Sequence, residues 1–295
     1  MKIRKPGLPF FLNLPMLVLL YATLVAAFVM MIYLCFIDWT PMRGKFWQQP
    51  FFGVGNFVAL FTDHRFLSAV LRTLFFVAVC GGLEFVIGLA MAMFLLGMPR
   101  LKKILTSIWM MPMMLVPAAV GYMFYLLFFE EGPVNALLGL ILSMEVSIKW
   151  VSNPVLAYIP IIIGEVWQWT PFMFLVLYAG LVSLPEEPFK AARVLGASEF
   201  QIFRHLTLPM LKPIIGIAIL IRFLELFKIF DVPFMVTRGG PGHSTETLSI
   251  WMMYHGFRFW RLSYVASASL LIMIAIILVL YFFGGSLVRV KKEAI

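Results

Sequence analysis

Long apolar runs follow one another through this chain, and nothing constrains its fold more. The first, Leu14 to Ile37, is about 24 residues without a charge. At 1.5 Å per residue, a helix of that length crosses a hydrocarbon core of about 30 Å. It is too long for a signal-peptide core and lacks a small-residue cleavage site, so it reads as a retained span. Five more runs follow, at about 69–97, 104–129, 155–182, 213–236 and 263–287. With 62% hydrophobic and 13% charged residues, the chain carries more apolar surface than a soluble domain could hide. In lipid only helices and closed barrels satisfy their backbone, and these runs are too long and too unalternating for barrel strands. The expectation is an all-α membrane protein with six transmembrane helices.

The basic residues set its orientation. Thirteen of the 23 Lys and Arg fall in the N-terminus (Lys2, Arg4, Lys5), the turn at Arg100, Lys102 and Lys103, the stretch from Lys190 to Lys212, and the tail (Arg289, Lys291, Lys292). Seven lie on the other side, and Arg72, Arg222 and Lys228 sit within spans. The positive-inside rule puts both termini and the 183–212 segment in the cytoplasm. The net charge of +9 is therefore a membrane signature, and no nucleic-acid partner is expected. Cys35 and Cys80 lie inside apolar runs and read as buried structural thiols.

The longest polar segment on the cytoplasmic side runs from Pro185 to Pro209. Ser183 and Glu186 have capping-box spacing, and Glu186 and Glu187 suit the positive first turn of a helix. Gly196 suits the left-handed conformation that ends a helix. Ser198 and Gln201 repeat the capping-box spacing and restart one, and Pro209 is expected to stop it. The segment reads as helix, hinge, helix.

Charges inside spans invite partners or a water-filled path, because each costs about 2.5–3.5 kcal/mol near the bilayer centre. The fifth run holds Arg222, Glu225, Lys228 and Asp231, alternating in sign at a spacing of three, close enough round a helix to pair. Two roles stay open for them: a self-neutralising ladder, or a polar wall that hydrogen-bonds hydroxyl groups. The fourth run holds Glu165, Trp167, Gln168, Trp169 and Pro171. An aromatic platform beside hydrogen-bonding side chains suits the apolar faces and hydroxyl rims of a carbohydrate, and packing or interfacial anchoring is the other use of such tryptophans. Glu84 in the second run is a further path candidate.

Catalytic chemistry finds no support. There is no Gly-x-x-x-x-Gly-Lys-Ser/Thr loop to hold a nucleotide, so an ATP-driven process would need a separate ATPase chain to bind ATP and Mg. His64, His205, His243 and His255 have no metal-ligand spacing, so no metal, cofactor or catalytic site is expected in this chain.

The order of residues in the polar segment resembles the coupling loop of the membrane subunits of ATP-binding-cassette importers. Ala191, Ala192, Gly196, Ala197, Phe203, Leu206, Leu208 and Pro209 stand at the matching places. Lys190 stands where that family carries glutamate, and Leu195 where aspartate is common. The departures keep the helical pattern and remove acids that could pair with an ATPase. Phe52-Gly53-Val54-Gly55-Asn56-Phe57, Trp167 to Phe172, Ala179-Gly180-Leu181, Phe230-Asp231 and Thr237 to Thr247 resemble segments of the carbohydrate branch. The resemblance implies the type I importer permease architecture: an N-terminal part (1–68), a five-helix core (69–288) with its coupling loop at 183–212, and a basic tail (289–295). Lys190, Ala191, Ala192, Arg193, Gly196, Ala197, Phe203, Leu208 and Pro209 would couple to the ATPase. The implied partners are a second homologous permease, an ATPase dimer and a periplasmic or lipid-anchored substrate-binding protein, in a bacterial inner membrane and its lipid. The alternative is a stand-alone secondary transporter or channel using the charged fifth helix. Such a protein needs no docking loop and usually has two related halves, which this sequence does not display.

Overall fold

The computed structural model describes residues 8–98 and 100–293, with side chains for 13–98 and 100–282. Lys2, Arg4 and Lys5, and the side chains of Arg289, Lys291 and Lys292, on which the orientation partly rests, lie outside the described residues.

The described chain is helical. In order come α1 (Leu8–Cys35), α2 (Gly55–Thr62), α3 (His64–Leu96), α4 (Lys102–Met110), α5 (Pro117–Leu127), α6 (Pro133–Leu142) and α7 (Tyr158–Val182). Then come α8 (Glu187–Val194), α9 (Glu199–Ile202), α10 (Leu208–Phe227), α11 (Asp231–Thr237), α12 (Leu248–Met253) and α13 (Leu262–Glu293). Among the described residues no strand forms, and Ile37 and Phe51 make an isolated antiparallel bridge.

Among the described residues four helices are long and apolar enough to cross a membrane: Asn13–Cys35 of α1, then α3, α7, and Leu262–Phe282 of α13. The third run is not one straight helix. Lys102–Met114 and Pro117–Leu127 meet at 91°, and together would make a fifth crossing. Proline is the cause. Pro112 opens a 3₁₀ turn, and Val116, ahead of Pro117, is pushed to extended geometry (φ −66°, ψ 128°). The fifth run also breaks, after Phe227. Pro233 has no N–H to offer the Ile229 carbonyl, which accepts the Thr247 hydroxyl instead at 3.0 Å. The stretch between the third and fourth apolar runs contains α6. There the buried Asn135 amide donates to the Glu130 and Ile148 carbonyls, both at 2.9 Å, and accepts the Trp150 indole N–H at 2.8 Å.

The chain divides into two compact units, one from the residues up to His64 with Met252–Ile277, the other from Arg65–Trp251 and the residues from Leu278. In the first unit, Asn56 donates to the carbonyls of Cys35 (3.1 Å) and Ile37 (2.9 Å), fixing the chain as it leaves α1. Trp39 N–H donates to the Ser263 hydroxyl at 3.0 Å, and Tyr264 OH to Asp63 at 2.8 Å. The second unit holds two apolar clusters. Phe76, Cys80, Phe124, Ile161, Leu226 and Val232 belong to one. Leu89, Ala92, Met173, Phe174, Leu211 and Ala218 belong to the other. Helices α3, α7 and α10 each pass from one cluster to the other, and each carries a buried charge, on α3 and α10 between the two clusters and on α7 within the first.

Candidate functional site

Those charges are Glu84 on α3, Glu165 on α7 and Arg222 on α10, at 0%, 5% and 2% exposure. Arg222 Nε donates to Glu84 Oε2 at 2.6 Å and Nη2 to Oε1 at 2.7 Å, a two-bond fork. The same Nη2 reaches Glu165 Oε1 at 3.1 Å. The guanidinium lies 5.0 Å from the centre of the Trp169 ring, so its flat face is covered as well. A planar cation with five N–H donors suits this site in a way lysine would not.

This arrangement redraws the expected ladder. Arg222 pairs across the bundle and not with Glu225. Glu225 pairs with Lys228 at 3.1 Å on a solvent- or lipid-facing surface, and Asp231 sits exposed in the first turn of α11, beyond the break. The other fourth-run candidates also separate. Gln168 is fully buried and donates to the Leu115 carbonyl at 3.0 Å, at the bend between α4 and α5. Trp167 is partly exposed and lines an apolar cavity of about 570 Å³ with Leu83, Ile87, Trp109 and Pro171. The structure thus brings together Glu84, Glu165, Trp169 and Arg222 and leaves Trp167, Gln168, Glu225, Lys228 and Asp231 apart from them.

The polar segment folds as two helices and a hinge. At the end of α8, Gly196 takes φ +79°. Its N–H donates to the Arg193 carbonyl, and Ala197 N–H to that of Ala192, both at 3.0 Å. That is the Schellman closure. The Ser198–Gln201 capping box forms, with Ser198 N–H on Gln201 Oε1 at 2.8 Å and Gln201 N–H on Ser198 Oγ at 3.3 Å. Arg193 and Glu199 pair across the hinge at 3.1 Å. Lys190 pairs with Glu186 at 2.8 Å, and that hydrogen bond and charge hold the Glu186 carboxyl below its ordinary range. Val194, Leu195 and Phe200 stand out as exposed apolar side chains. Ala191 is exposed, whereas Phe203 and Leu208 pack against the second apolar cluster and hold the segment to the bundle.

Two local expectations are corrected. No capping box joins Ser183 to Glu186: the Ser183 hydroxyl donates back to the Gly180 carbonyl at 2.7 Å, closing α7, and α8 begins without a side-chain cap. Nor does Pro209 end a helix. A π turn, Phe203–Thr207, joins α9 to α10 without a break, and Pro209 falls in the first turn of α10, where its missing N–H is tolerated.

Sequence reasoning missed a second ion pair. Glu246, fully buried, accepts a two-bond fork from Arg65 at 2.8 and 2.7 Å. Thr73 accepts the Leu248 N–H at 2.8 Å, and Tyr158 OH donates to the Ser244 carbonyl. These bonds fix the segment from Thr237 to Leu248. Its one sequence signal was a lone glutamate between two threonines.

Residues 84–291 match the family model described as the inner membrane component of binding-protein-dependent transport systems. The chain belongs to this family. The trehalose/maltose transport system permease protein MalF of Thermococcus litoralis is 29% identical, over 96% of this chain and 93% of that protein. The sulfoquinovosyl glycerol transport system permease protein SmoG of Agrobacterium fabrum is 31% identical, over 89% and 84%. A solved structure of a bacterial alginate ABC transporter, in complex with an alginate pentasaccharide-bound periplasmic protein, has a chain of the same fold. The TM-score is 0.72 at 19% identity, covering 93% of this chain and 95% of that one. The protein is a multi-pass permease of the ABC importer type and not an enzyme; ATP hydrolysis belongs to a separate subunit.

Proposed function

We propose that the permease imports a sugar, sugar derivative or polyol, forming the path with a second permease and drawing on a separate ATPase through residues 185–209. The hinge carries this reading. A helix closed by a Schellman motif and one opened by a capping box present Val194, Leu195 and Phe200 outward and run directly into α10. The relatives named for trehalose, maltose and sulfoquinovosyl glycerol support the substrate class. ATP and Mg would sit on the ATPase, and a binding protein would deliver substrate from outside a bacterial inner membrane.

Six spans fit if α10 is counted. Any 18 consecutive residues of α10 contain Lys212, Arg222 and Glu225, which makes its composition poor for a crossing. Arg222 is neutralised internally, Glu225 is paired with Lys228, and Lys212 lies near the helix start. Six crossings leave both termini and the hinge on one side, and the excess of Lys and Arg there supports the cytoplasm as that side. A secondary transporter running through α10 is disfavoured, because its central charge is shut inside the bundle.

Co-expression with the products of neighbouring genes, purification in detergent and an ATPase assay test the reading. A complex holding a second permease and an ATPase, stimulated by binding protein with one sugar or polyol, is expected. A protein that purifies alone and drives uptake from an ion gradient overturns it.

A further inference from the structure

A cavity of about 700 Å³ opens beside the start of α4. Arg100, Lys102 and Lys103 line its polar end, Thr106 its middle, and Met110 and Met114 its apolar end. Among the described residues none of the three cations is paired with a carboxylate. Lys102 lies 4.9 Å from the centre of the Tyr178 ring, which holds the head of α4 to α7 without neutralising the charge. The first turn of α4 adds the positive end of the helix dipole. From Lys102 to Met110 the helix rises about 12 Å, from charge to thioether, and Met114 beyond it is 82% exposed.

Three unneutralised positive charges ask for a phosphate. The apolar end asks for hydrocarbon attached to it, since a free phosphate would leave Met110 and Met114 uncovered. We propose that this cavity binds the phosphate headgroup of an anionic phospholipid from the cytoplasmic leaflet, with an acyl chain lying along Met110 and Met114. The proposal rests on the orientation given above, which puts residues 100–103 at the cytoplasmic surface, where anionic lipid and clustered Lys and Arg attract.

The test is native mass spectrometry of the assembled transporter in mild detergent, titrated with phosphatidylglycerol, phosphatidylcholine or glycerol phosphate. Phosphatidylglycerol is expected to stay bound in preference to phosphatidylcholine. The variant R100Q/K102Q/K103Q is expected to weaken retention about tenfold or more, and Lys103→Gln alone about several-fold. Should the triple variant fail to assemble, Lys103→Gln and Arg100→Gln singly decide the matter. Equal retention of the two lipids, or wild-type retention by the variants, overturns the proposal. Displacement by glycerol phosphate at matching concentration makes the ligand a soluble phosphate and overturns the lipid. If no ATPase co-purifies while phosphatidylglycerol still binds through residues 100–106, the transport reading fails and the lipid site stands.

Discussion

Arg222 is the residue on which three helices agree. Removing it leaves two buried carboxylates without their cation, and breaking a buried pair in this way costs about 3–5 kcal/mol. Arg222→Ala should lower the thermal midpoint of the purified protein sharply. Arg222→Lys should rescue little, because lysine cannot make the fork to Glu84 and the contact to Glu165 together. Glu84→Gln combined with Arg222→Gln should cost less than the two singly measured losses added, and a double-mutant cycle in thermal unfolding would read that coupling. Gly196 poses the opposite case. A Cβ there would meet nothing within 4 Å, so the penalty of a side chain inside this chain is confined to its left-handed backbone, about 1–2 kcal/mol. Gly196→Asp should therefore insert and express normally yet lose transport, through what docks on the hinge. Normal uptake by that variant at normal expression would remove the coupling role.

At the scale of elements, α3 and α7 touch through Gly88. A Cβ there would stand 2.9 Å from the Phe174 backbone nitrogen, which no rotamer change can relieve. At Gly180 the obstacles at 2.8 Å are the ends of Leu211 and Ile214, which can turn aside. Gly88→Val should cost about 1–3 kcal/mol by overpacking, and Gly180→Ala less; thermal midpoints in one detergent would rank them. The hinge was legible in the sequence because its signals are local: Gly196, Ser198 and Gln201 act within a few residues of where they stand. The buried cluster was not, since Arg222 meets partners 57 and 138 residues away, while the spacing-of-three pattern pointed to the nearer Glu225, which pairs with Lys228. Pro233 did announce the break before α11, but apolar composition masked it. Pro209 misled for a related reason: it interrupts a helix only when a carbonyl is waiting for its N–H, and a π turn had already changed the pairing.

For the whole molecule, apolar runs foretold the class of fold and its helices, and what they could not foretell was how many of those helices bend. Topology is open to direct measurement, because Cys35 and Cys80 are both buried and give little background. Glu187→Cys should react with a membrane-impermeant maleimide only after the cells are opened, and Ser147→Cys should react in intact cells. The reverse pattern would turn the molecule over and move the hinge away from any cytoplasmic ATPase.

The Glu84–Arg222 pair also bears on how the protein is made. Synthesis runs from the N-terminus at about 5–20 residues per second, so Glu84 emerges roughly 7–28 s before the arginine that neutralises it. Glu165 follows, still ahead of Arg222. During that interval α3 must enter the bilayer, or wait beside the insertion machinery, with a carboxylate lacking its eventual partner. Within its 33 residues, an 18-residue stretch at a mean hydropathy of 2.2 supplies the apolar surplus that such an entry demands. The seam that ties three finished helices together thus closes only when α10 arrives.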